Sequence, residues 1–173
     1  MIRKISLLTL MLFLTIVCSA AAQNTLVSAP NSIDPKFPLR GAKVVQVDAT
    51  VVAKPENVKD ASAPNLVQDS LRTALRNANL EMVDAASIRV HIVLDEFTSG
   101  SAAKRFMIGF GAGRSTIDCH LVVQDADGKE LANVPIRVRG NLVWSPYQGN
   151  NTQRRQAVNS FDQRILEEIE KMK

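Results

Sequence analysis

The sequence predicts an α+β fold, a two-layer sandwich in the order β-α-β-β-β-α with two helices on one face of a largely antiparallel sheet. Three observations predict it. Residues 88–95 and 116–124 alternate apolar and polar side chains with the period-two pattern of half-buried strands. Residues 67–78 and 158–172 repeat apolar side chains at helical spacing. Elements with one apolar face each are most economically buried as two packed layers.

Taken in order, Arg3 and Lys4, the apolar run Ile5–Val17 and the small residues Ala20, Ala21 and Ala22 read as a secretory signal over residues 1–22. The mature chain is then expected to begin near Gln23, in the periplasm. The apolar run is shorter than the ~20 residues of a bilayer-spanning helix. Cys18 follows Val17, where a lipid-attachment signal prefers a small residue, so a soluble product is expected over a lipid-anchored one. Residues 23–41 carry Pro30, Pro35 and Pro38 without a sustained period and read as an extended lead-in; residues 42–173 read as a single α+β domain.

Val44–Val52, with Gln46, Asp48 and Thr50 between apolar positions, is the first expected strand. A polar loop from Lys54 to Ala63 leads to Pro64, which suits a first helical turn because its missing N–H has no intrahelical partner there. Val67, Leu71, Ala74, Leu75 and Ala78 then share one helix face, and the helix is expected to end near Asn77–Leu80. Ile88, Val90, Ile92 and Leu94 mark the apolar face of the next strand; Ile117, Cys119, Leu121 and Val123 mark that of the one after. Asp125 to Lys129 forms a hairpin loop with Gly128 at a left-handed position, and Leu131–Val138 returns as a strand. Pro135 cannot donate to a ladder, which places that strand at an edge or gives it a bulge. After a loop around Trp144–Gly149, Val158, Phe161, Ile165, Ile169 and Met172 define the cleanest amphipathic helix.

Between two of these strands lies the most distinctive segment, in which Phe106, Met107, Ile108 and Phe110 are interleaved with Gly109, Gly111 and Gly113 and flanked by Lys104, Arg105 and Arg114. Apolar side chains at this density need burial in a core, a partner or a lipid surface. A phosphate loop is not expected, because its glycines must follow a strand and open a helix, and here a strand follows. A Walker ending of Gly-Lys-Ser/Thr is also missing.

Other chemistry is thinly represented. The net charge of +4 falls to +2 when Arg3 and Lys4 leave with the signal, too little for binding driven by nucleic-acid phosphates. Cys119 is the single cysteine after residue 22, so no intrachain disulfide is expected in the mature chain. His91 and His120 share a strand phase with Asp118, a conceivable metal site with too few histidines for the usual ligand sets. Ser99, Ser101 and Ser115 lack the Gly-x-Ser-x-Gly context of an activated serine. Asp95 and Glu96 are adjacent, and strand alternation sends them to opposite faces. Arg154 and Arg155 begin the last helix and Glu167, Glu168 and Glu170 end it, against the helix dipole, so a solvated face or contacts to an acidic partner or lipid phosphate are the alternatives.

The strand ending in Asp95-Glu96-Phe97, then Ser99-Gly100, Lys104-Arg105, the run Gly109-Phe110-Gly111-Ala112-Gly113-Arg114, and a strand closing on Asp125 with Gly128-Lys129 resemble the bacterial envelope family known as domain of unknown function 4410. The likeness covers most of residues 42–172. It implies a small periplasmic or outer-membrane-associated module with no assigned reaction; no cofactor is expected. Many members resemble lipoproteins, a pattern from which Val17 departs. The expectation is therefore a non-enzymatic binding or assembly module of the envelope. Its contact surface would be Arg105, Phe106, Met107, Ile108, Gly109, Phe110, Gly111, Gly113 and Arg114, used for self-association or an envelope protein partner. A membrane-surface module is the first alternative, and a metal-dependent enzyme the second.

Overall fold

The computed structural model describes residue 34 and residues 36–99, 113–140 and 150–173, the side chains at 150, 151 and 153 apart. These lie in a compact unit, Ile33–Lys173. The expected signal, most of the lead-in, Arg105 to Gly111 and the Trp144 loop lie outside the described residues.

Six strands and two α-helices are present among the described residues: β1 (Val44–Val47), β2 (Val51–Val52), α1 (Ala63–Asn77), β3 (Glu81–Met82), β4 (Ile88–Ser99), β5 (Ser115–Asp125), β6 (Glu130–Arg139) and α2 (Asn150–Lys171). A 3-10 turn, Pro55–Asn57, precedes α1. The sheet runs β3-β1-β4-β5-β6, with β2 continuing beside β4. The α+β expectation holds, and the long ladders β4–β5 and β5–β6 are antiparallel. The short strands β1 and β2 run parallel to β4, and β1 runs parallel to β3, because α1 carries the chain back across the sheet between them.

The strand expected over Val44–Val52 is split. Asp48 and Ala49 are poor strand formers, and the Asp48 side chain accepts the Gln46 amide at 3.1 Å. Its backbone still follows β4, since the N–H groups of Asp48 and Ala53 donate to the carbonyls of Val90 and Leu94. The two-residue β3 escapes a periodicity argument because it is too short to show a period. The expected lead-in gives way before its end: the chain turns over 36–41, Leu39 is fully buried, and its N–H donates to the Met172 carbonyl at 2.9 Å.

Pro64 lies in the first turn of α1, which presents Val67, Leu71, Ala74 and Leu75 to the core. The helix stops in a Schellman arrangement: Asn79 takes φ +58, and Leu80 N–H reaches back to the Leu75 carbonyl at 2.9 Å. Lys173 Nζ donates to the carbonyl of Ala78 at 2.7 Å, placing a cation at that end of the helix dipole. On α2, Phe161, Ile165 and Ile169 are fully buried, and Met172 just after it nearly so, each burial of this kind contributing roughly 1.5–3 kcal/mol. The acidic end of that helix is neutralised locally, with Arg164 and Lys171 both 2.9 Å from the buried Glu168. Ala157, Phe161 and Ile165 meet the apolar face of the sheet, made by Val90, Ile92, Leu94, Ile117, Cys119, Leu121 and Ile136. Both helices therefore cover one face, and among the described residues no helix covers the other, here called the open face.

Candidate functional site

The open face is organised by a β-bulge. In the β4–β5 register, Leu94 pairs with Cys119 and Glu96 with Asp118, leaving Asp95 as the extra residue. Leu94 and Phe97 both enter the core, so Asp95 and Glu96 lie together on the open side. The alternation argument that sent them to opposite faces fails here because a bulge inserts one residue into the period.

Asp95 and Asp118 have different partners. Asp95 stands 3.5 Å from His120 Nε2 and 3.7 Å from Lys54 Nζ. Asp118 is taken by Arg137, whose guanidinium pKa is raised by the hydrogen bond to that carboxylate, with Glu96 adding to the field. His120 Nδ1 contacts Asn133 Oδ1 at 2.8 Å. His91, His120 and Asp118, a conceivable but not expected ligand set, take separate partners: His91 lies opposite Val122, and Asp118 turns to Arg137. Among the described residues no three His, Cys, Asp or Glu side chains are arranged to hold a metal ion. Cys119 faces the core, and burial, with the charges of Asp118 and Asp95 behind it, pushes its thiol up to about 12.

Toward the end of the β4–β5 ladder, Thr98 pairs with Thr116, and Thr116 with Arg139, forming one rung across three strands. Thr98 Oγ1 accepts the Thr116 N–H at 3.1 Å and donates to the Arg114 carbonyl at 3.4 Å. Gly113 takes φ +71, a left-handed turn that favours glycine, as the chain enters β5. A groove of about 910 Å³ opens here, lined by these residues with Lys59 and Asp60 on the loop before α1, Glu56 on the 3-10 turn, and Glu96 and Arg137. The bridge from Val58 to Phe97 holds that loop against β4. Asp60 is locked by Ser62, whose hydroxyl and N–H both donate to it, and by Arg154 at 3.2 Å. These contacts hold its carboxyl below the ordinary value of 3.8, the Ser62 hydroxyl contributing most. Arg154 also lies 5.7 Å from the Phe97 ring centre. Its role is internal, joining α2 to the loop before α1, and of the pair only Arg155 is exposed.

Of the contact residues proposed from sequence, Gly113 and Arg114 therefore border the groove, while Arg105 to Gly111 lie outside the described residues. The groove residues Lys59, Thr98, Thr116, Arg137 and Arg139 had a partial signal: Arg137 and Arg139 occupy the polar phase of β6. Their meeting with Arg114 depends on cross-strand register.

The family described as a domain of unknown function, DUF4410, matches residues 33–141, more than half of the chain. The chain belongs to the DUF4410 family. The DUF4410 match takes in Leu39 and the whole sheet and stops before α2. No curated protein matches the sequence. Among solved structures, this DUF4410 chain is similar to a PelC dodecamer from Paraburkholderia phytofirmans, with TM-score 0.51 and 12% identity over 77% of this chain and 87% of that one. A rare lipoprotein B structure from Shewanella oneidensis also matches, with TM-score 0.36 and 12% identity over 73% of this chain and 89% of that one. The PelC likeness establishes a shared fold.

Proposed function

We propose that the chain is an exported, non-enzymatic module of the bacterial envelope that works by self-association, with the connection between β4 and β5 as its contact surface. The observation that carries this reading is the pairing of Ser99 with Ser115, the last rung of the β4–β5 ladder. Both ends of a connection carrying Phe106, Met107, Ile108 and Phe110 are thereby held at one end of the sheet. The engagement of Asp118, His120 and Asp60 with neighbouring side chains supports a binding role over catalysis. A related fold solved as a dodecamer is compatible with assembly.

The test uses the full chain expressed in a bacterial host, recovered from the periplasmic fraction and starting at Gln23 by intact mass. Light scattering is expected to give an assembly for the wild type and a monomer for Phe106→Ser with Phe110→Ser, at unchanged melting temperature. A wild type that is monomeric at every concentration, with a double variant whose melting temperature collapses, would assign both rings to the domain's own core and overturn the reading.

A further inference from the structure

We propose that Arg114 and Arg139 form a binding site for a phosphate group at the mouth of the groove, independent of the assembly role. Arg139 lies on β6, and Arg114 immediately precedes β5 beside it. Arg139 pairs directly with Thr116, and Arg114 precedes Thr116 by two residues, so the guanidinium-bearing positions are diagonal neighbours, roughly 7–8 Å apart at the backbone. Two arginines at the mouth of one groove favour a shared anionic counter-charge.

The chain does not supply one. All 17 acidic residues of the sequence lie among the described residues, and none forms an ion pair with Arg114 or Arg139. The groove's own acids are differently placed: Asp60 is bound by Ser62 and Arg154, Glu96 adds to the field at Arg137, and Glu56 sits on the 3-10 turn. Arg137 is itself taken by Asp118. Arg114 Nε is buried and has no hydrogen-bond partner among the described residues, so this edge of the guanidinium is not committed to a carboxylate of the fold. Two planar guanidinium forks beside the Thr116 side chain, with Lys59 on the same groove, suit an oxyanion that takes several donors at once.

Inorganic phosphate is the first probe, followed by NMR of the full-length protein. Resonances of Arg114, Thr116 and Arg139 are expected to shift saturably. Affinity should fall about tenfold in Arg114→Gln and again in Arg139→Gln, while the remote exposed Arg72→Gln leaves it unchanged. Lysine at both positions should restore only part of the loss, since it keeps the charge and loses the fork. A second arm compares vesicles of phosphatidylglycerol with vesicles of phosphatidylcholine. Co-sedimentation with the anionic vesicles alone, lost in the double glutamine variant, identifies a lipid headgroup as the source; phosphate binding without vesicle binding identifies a soluble phosphate. Failure of the wild type to bind phosphate, or equal binding by the folded double variant, would overturn the proposal.

Discussion

At the scale of single residues, strand phase decides what Cys119 can do. Its side chain belongs to the apolar face of β5, and the buried thiol is held protonated, with its pKa raised to about 12. A nucleophile needs the thiolate, so Cys119 is expected to behave as a small core hydrophobe. Native protein should not react with a thiol-specific reagent at pH 8, and one thiol per mature chain should become reactive on unfolding in denaturant. Rapid stoichiometric labelling of the folded protein would contradict the assignment. The apolar phase of Cys119 was legible in the sequence. The position of Asp95 was not, because period-two reasoning assumes an uninterrupted ladder, and the bulge that turns Asp95 and Glu96 to one side becomes visible only in the register with β5.

Among elements, the join between α2 and the loop before α1 carries a definite pH dependence. Asp60 has a folded-state pKa below 3.8, so its bonds to Ser62 and Arg154 stabilise the fold above that unfolded-state value and lose their contribution as pH falls through the folded-state value. Asp60→Asn should lower stability at pH 7 by on the order of 0.5–1 kcal/mol, a modest figure because the pair is partly exposed. Thermal melts should show the wild-type advantage shrinking as the pH is lowered below 3.8; an advantage independent of pH would refute the role given to the carboxylate. The elements themselves were largely readable, since β4, β5, β6, α1 and the apolar face of α2 each run long enough to display a period. The parallel pairing of β1 with β4 was not, because an alternating strand looks the same whichever way its neighbour runs. Arg154 similarly reads as a free cation until α2 is packed beside Asp60.

For the whole molecule, the described ends of the compact unit are joined within the fold. Leu39 bonds to Met172, and Lys173 bonds to the end of α1, so both contribute to the same core layer. The helices cover one sheet face, while the open face concentrates paired charges around Asp95 and Asp118 and, near the base of the β4–β5 connection, arginines that form no ion pair among the described residues. The sequence identified that connection by its glycines and aromatic rings; it did not reveal that Arg139 joins Arg114 there, because the two are 25 residues apart in the chain and meet through β5. The central claim is that this end of the sheet is a contact surface between copies. Amide hydrogen exchange of the mature chain across a range of protein concentrations tests it most directly. The account predicts that residues 104–113 gain protection as concentration rises, while β5 and β6 exchange at a constant rate. Exchange in 104–113 that is the same at every concentration would contradict it.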